Sequence, residues 1–85
     1  MNSTAALEVV RRAWRDVLAL EDVQPDDDFF LLGGHSLLVL EVVDAIEAET
    51  GTAIPLGDFF EHPTPRTLAK YLTEPHAVGE EVEQA

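Results

Sequence analysis

Ser36 is the side chain whose setting most clearly points to chemistry. It follows Gly33, Gly34 and His35, and it opens the apolar stretch Leu37-Leu38-Val39-Leu40. A hydroxyl placed there stands at the mouth of a helix, where the first N–H groups have no intrahelical partner and the helix dipole is positive. An anion attached to it is stabilised for both reasons. The two glycines remove side-chain bulk ahead of the serine and permit unusual φ, so a modifying enzyme can come close to the backbone. A serine in this position can equally be an ordinary helix N-cap. Local sequence leaves both readings open.

Other arrangements carry less. The Gly34-His35-Ser36 triplet falls short of the GxSxG elbow of serine hydrolases, because Leu38 stands where the second glycine belongs and the chain lacks strand patterns to form the elbow. His35 and Ser36 are adjacent, so their side chains diverge at a helix entrance, and no acid is placed to orient the imidazole. Asp26, Asp27 and Asp28 begin like a calcium loop, but the required glycine is missing and Phe29, Phe30 and Leu31 follow directly. His35, His62 and His76 are scattered, no phosphate-cradling GxxxxGK occurs, and there is no cysteine, so no metal site is expected. A serine without catalytic partners fits a place of attachment better than a nucleophile.

A chain of 85 residues forms one small domain with a modest core. Its net charge of −12 argues against binding nucleic acid or anionic membranes. Apolar runs are too short to cross a bilayer and no signal-peptide pattern precedes them, which makes a cytoplasmic location the expectation. The distribution of charge is more telling than its sum. Between residues 21 and 50 lie Glu21, Asp22, Asp26, Asp27, Asp28, Glu41, Asp44, Glu47 and Glu49 with no Lys or Arg, and every base falls in 11–15 or 66–70. The middle of the chain therefore offers a basic partner a surface of one sign.

The elements that would position Ser36 can be read from periodicity. Leu7, Val10, Trp14, Val17 and Leu18 recur at helical spacing and predict an amphipathic helix over 4–20. Pro25 and the aspartates then break the pattern, and Phe29, Phe30, Leu31 and Leu32 are expected to return a long loop to the core. A second helix should span 36–50 and stop at Gly51, burying Val39, Val42, Val43, Ile46 and Thr50. Its opposite arc carries Leu37, Leu40, Glu41, Asp44 and Glu47, two leucines on an otherwise acidic face and a candidate docking surface. A short helical segment at 57–61 should bury Phe59 or Phe60. Thr64 followed by Pro65 marks the start of a last helix that ends before Pro75. Residues 75–85 lack periodicity and read as an acidic, disordered tail after a domain spanning 1–74.

The run Asp28-Phe29-Phe30-Leu31-Leu32-Gly33-Gly34-His35-Ser36-Leu37-Leu38 resembles the core motif of peptidyl carrier proteins, the thiolation domains of nonribosomal peptide synthesis. The likeness extends upstream through Ala13-Trp14 and Val17-Leu18, and downstream through Ile54-Pro55-Leu56, Asp58-Phe59-Phe60 and His62-Pro63-Thr64, covering about residues 5–72. It implies an all-α fold, a small four-helix bundle of three main helices and one short one, with a long loop between the first two. It implies that Ser36 receives 4′-phosphopantetheine from coenzyme A, flanked by Gly33, Gly34, His35 and Leu37. The terminal thiol of that arm would hold an aminoacyl or peptidyl group as a thioester, and the protein itself would do no catalysis.

Carriers of fatty-acid and polyketide synthesis share the fold but typically show Asp before the serine, so His35 with Gly33 and Gly34 points to the peptidyl branch. The strong acidity is nonetheless like that of discrete fatty-acid carriers, and a carrier of polyketide or other acyl units is the alternative. A helical adaptor in which Ser36 is only a cap is a more distant one. The partners implied are a phosphopantetheinyl transferase, an adenylating loading enzyme, and condensing or tailoring enzymes, met by a monomeric carrier. The initial Met1 and the absence of neighbouring-domain sequence are expected of a freestanding carrier.

Overall fold

A computed structural model describes residues 2–74 of the chain, so the tail expected at 75–85 lies outside the described residues. It contains four helices in the order α1 (Ser3–Leu18), α2 (Ser36–Thr50), α3 (Leu56–Glu61) and α4 (Pro65–Thr73), with no strand among the described residues. The expected bundle of three longer helices and one short one is the architecture observed.

Each helix ends where local chemistry stops it. The Asn2 side chain accepts from the Ala5 N–H at 2.7 Å and starts α1. That helix stops at Leu18 rather than at residue 20, because Ala19 turns left-handed at φ 58° and its N–H reaches back to the Arg15 carbonyl. Gly51 closes α2 in the same way at φ 78°. The Thr64–Pro65 start is observed as expected, with Thr64 and Thr67 forming a reciprocal capping pair.

Helix α1 packs against both α4 and α2, and α2 meets α3. Between them Val10, Trp14, Val23, Phe29, Val39, Val42, Ile46, Phe59 and Leu68 are fully buried. On α1 the buried stripe is Ala6, Val9, Val10, Ala13 and Trp14, with Leu7, Val17 and Leu18 half-buried beside it. The face expected from the large apolar residues is thus rotated toward the alanines, because close packing of helices is governed by small side chains as much as by large ones. On α2 the expected stripe holds, except that Thr50 is half-buried and returns its hydroxyl to the Ile46 carbonyl at 2.8 Å. Trp14 sits at the centre, edge-on to Phe29 at 4.9 Å and tilted against Phe59 at 6.0 Å, and its indole Nε1 has no acceptor among the described residues.

Candidate functional site

The long connection between α1 and α2 is fastened at several places before it reaches Ser36. Val23 is wholly buried, and its carbonyl accepts from Arg11 Nε at 2.6 Å. Arg11 also pairs with Glu8 at 2.8 Å and Asp22 at 2.9 Å. Further on, the Arg66 N–H donates to the Pro25 carbonyl at 2.9 Å, and its guanidinium grips Asp26 through bonds of 2.7 and 3.2 Å. That bond holds the Asp26 carboxyl below its ordinary range and raises the guanidinium in return. The Phe29 N–H donates to the Pro63 carbonyl at 2.8 Å. Loop and helix entrances are thereby joined from both sides.

Residues 28–34 form one helical turn of their own. Asp28 caps it, its carboxylate accepting from the N–H groups of Phe30 at 2.8 Å and Leu31 at 3.2 Å. The turn closes when the Gly34 N–H donates to the Phe29 carbonyl at 3.0 Å and the Gly33 N–H to the Phe30 carbonyl at 3.3 Å, the paired bonds of a Schellman ending. Gly33 occupies the position that demands a positive φ, here 105°. The helical turn corrects one expectation. Leu31 does not return the chain to the core but is 87% exposed, because successive residues of a turn point about 100° apart and Phe29 faces inward. Phe30 and Leu32 are half-buried at the edge of the core.

The glycines also divide their labour differently from the sequence expectation. Gly33 has open space around it, whereas a Cβ on Gly34 would lie 2.2 Å from the Phe29 ring. Gly34 is small because of an internal neighbour, which no reading of local access would have found.

His35 is extended at φ −148°, occupies the N-cap position of α2 and makes no capping bond. Ser36 is the first helical residue rather than the cap, and its exposed hydroxyl has no hydrogen-bond partner among the described residues. The reading of Ser36 as an N-cap is therefore set aside: the side chain caps nothing. The helix entrance also has no acid in its first turn. An uncapped N-terminus with a free hydroxyl, free first-turn N–H groups and no carboxylate in that turn suits a phosphodiester on Ser36.

Downstream, Leu37 and Leu40 are exposed at 63% and 44%, and Glu41, Asp44 and Glu47 lie exposed beside them. None of these three carboxylates has an ion-pair partner among the described residues, while Arg11, Arg12, Arg66 and Lys70 each meet an acid elsewhere. No group of three His, Asp or Glu residues able to hold a metal occurs among the described residues. A groove lined by Ser3, Leu7, Arg66, Ala69 and Lys70 lies between α1 and α4 and contains none of the Ser36 site. Among the described residues no helix is long and apolar enough to cross a membrane.

Sequence reasoning missed Val23, the Asp28 cap and the contact of Phe29 with Gly34. A lone valine amid acids and an Asp directly ahead of the Phe29-Phe30 pair were legible signals for the first two. The third joins residues through space and leaves no mark on local pattern.

Residues 8–72 match the family described as phosphopantetheine attachment site. The chain is 48% identical over 61 residues to gramicidin S synthase 2 of Brevibacillus brevis, covering 72% of this chain and 1% of that protein. It is 43% identical over 67 residues to a probable non-canonical nonribosomal peptide synthetase of Salinispora arenicola, covering 79% of this chain and again 1% of the relative. Among solved structures it is similar, with a TM-score of 0.77 and 30% identity over 85% of this chain and 91% of that one, to a chain in a complex described as the phosphopantetheine transferase Sfp with coenzyme A and a peptidyl carrier protein. The chain thus spans a small fraction of the synthetases it matches and nearly the whole of a carrier domain.

Proposed function

The chain belongs to the phosphopantetheine attachment-site family, and from that premise we propose that Ser36 is the residue that takes 4′-phosphopantetheine from coenzyme A. The observation that carries the assignment is the unengaged Ser36 hydroxyl at an uncapped, acid-free helix N-terminus. When bound, the group supplies a terminal thiol on which an aminoacyl or peptidyl unit is held as a thioester. The chain's own residues supply position and address. Gly33, Gly34 and His35 deliver Ser36 to the surface, the first-turn N–H groups of α2 would stabilise an attached phosphate, and Leu37 follows directly. Carrier domains are generally non-catalytic, and among the described residues no carboxylate bonds to the His35 imidazole, which is itself only the sequence neighbour of Ser36. We read the chain as a shuttle that does no chemistry of its own.

The partners follow from the same reading: a phosphopantetheinyl transferase to modify Ser36, an adenylating enzyme to load the arm, and condensing or tailoring enzymes to use the cargo. Leu37 and Leu40, ringed by Glu41, Asp44 and Glu47, are the proposed docking face, since apolar contact among unpaired charges of one sign combines desolvation with steering toward basic surfaces. The peptidyl rather than the polyketide branch is favoured by His35 ahead of the serine. Intact mass after incubation with coenzyme A and a broad-specificity transferase tests the proposal. The wild type should gain the mass of one arm, a gain absent from Ser36→Ala; an alanine variant that still gains it would place the attachment elsewhere.

A further inference from the structure

We infer that the Phe29 ring and Gly34 form a steric register that sets where Ser36 stands, so that Phe29 is a positioning residue for modification of that serine. The inference rests on the attachment reading above. Because the Ser36 hydroxyl is held by no hydrogen bond among the described residues, its location is fixed by backbone alone. That backbone comes from Gly34, two residues upstream. The Gly34 N–H is bonded to the Phe29 carbonyl, and its α-carbon lies against the Phe29 ring so closely that a Cβ would meet ring carbons at 2.2, 2.4 and 2.7 Å.

The ring has nowhere to go. It is fully buried and enclosed edge-on by Trp14 at 4.9 Å, Phe59 at 5.1 Å and Phe30 at 5.4 Å. Its own backbone N–H is tied to Pro63. In a close-packed setting of this kind, a side chain added at Gly34 displaces the loop rather than the ring, and displacing the loop displaces Ser36. Gly33 differs in kind. Its φ of 105° makes a side chain strained whatever surrounds it, and no atom within 4 Å would meet a Cβ there. A smaller residue at Phe29 should therefore relieve a substitution at Gly34 and leave one at Gly33 unrelieved.

The test measures initial rates of modification by a broad-specificity transferase with coenzyme A, varying the carrier concentration, for the wild type, Phe29→Leu, Gly33→Ala, Gly34→Ala, and each glycine variant combined with Phe29→Leu. Circular-dichroism melts and Trp14 emission accompany the rates. Gly34→Ala should lower kcat at least about tenfold with KM changed less than about twofold, since misplacing a reacting group acts on turnover while the docking face is untouched. Adding Phe29→Leu, which lacks the Cε2 and Cζ atoms and whose remaining δ carbons are free to turn away about χ2, should bring the rate back to within about threefold of Phe29→Leu alone, a coupling that a merely additive loss would not show. The same change should not rescue Gly33→Ala. If Gly34→Ala does not fold, the double variant must regain a cooperative melt and be modified. A Gly34→Ala protein with wild-type kcat, losses that simply multiply, or a double variant as impaired as the single overturns the register. A wild-type chain that gains no mass overturns the attachment reading, and the positioning role falls with it.

Discussion

In the loop upstream of Ser36 four of the five carboxylates, all but Glu21, are engaged by the chain itself, whereas the outer face of α2 keeps Glu41, Asp44 and Glu47 unpaired among the described residues. Asp22, Asp26, Asp27 and Asp28 each accept a hydrogen bond from loop or helix atoms, and Val23 and Phe29 are sunk in the core. Glu41, Asp44 and Glu47 make no such bond among the described residues, and Leu37 and Leu40 stand between them. Both regions are acidic and both adjoin the same serine. Carboxylates answered by internal donors hold a shape, and carboxylates left in water project a field. The contrast is what supports our proposals that the loop places Ser36 and that the helix face meets partners.

The largest effect is expected at the junction. Ser36→Ala should abolish the mass gain while leaving stability within about 0.5 kcal/mol, because the hydroxyl makes no bond to lose. A thermal melt beside intact mass checks both halves. A loss of about 1 kcal/mol, the ordinary cost of a missing cap, would mean that the serine caps the helix after all.

On the upstream side, Phe29→Ala removes a fully buried ring packed on three aromatics and should cost about 3–5 kcal/mol, a large share of the stability of so small a domain. Denaturant unfolding measures it. On the downstream side Leu40→Ala should cost under about 1 kcal/mol, since the side chain is already half in water, yet should raise KM for partner enzymes at any salt concentration. A Leu40→Ala variant that melts like Phe29→Ala would erase the distinction between the regions.

Smaller again is Glu41→Lys. It should slow association with partner enzymes by about two- to tenfold at low salt and lose that effect as ionic strength rises past the point where the Debye length falls to about 8 Å. Stopped-flow association rates at two ionic strengths provide the check. Persistence of the defect at high salt would make it contact rather than steering.

The smallest effect concerns an exposed loop tie. Arg66 lowers the Asp26 carboxyl, so the ionised form is favoured in the folded chain and the pair stabilises above the unfolded carboxylate pKa, near about 3.9. Asp26→Asn should therefore melt slightly below the wild type near neutrality, with the gap closing as pH falls through and below that range. Melts of the two proteins from about pH 2 to 7 follow the difference, a span that brackets loss of the carboxylate charge below about 3.9. A gap that stays constant throughout would show that the charge contributes nothing.

The sequence by itself determined the helices that carry their own start and stop signals and a regular stripe. Ser36–Thr50 ends at Gly51 and exposes Leu37, Leu40, Glu41, Asp44 and Glu47 as its periodicity requires, and the last helix begins at Thr64-Pro65. Period and capping are local properties, so they survive without knowledge of the fold. The run around Ser36 likewise identified the family before any coordinate was known. Tertiary structure alone decided matters that join distant residues. It chose which face of α1 is buried, because Ala6 and Ala13 lie inside only once α4 and α2 are packed against them. It turned Leu31 outward by winding residues 28–34 into a helical turn, where apolar composition had implied a return to the core. And it made Gly34 a partner of Phe29, because an enclosed ring excludes a side chain from across space, a constraint written in the packing of Trp14, Phe30 and Phe59 rather than in the order of residues along the chain.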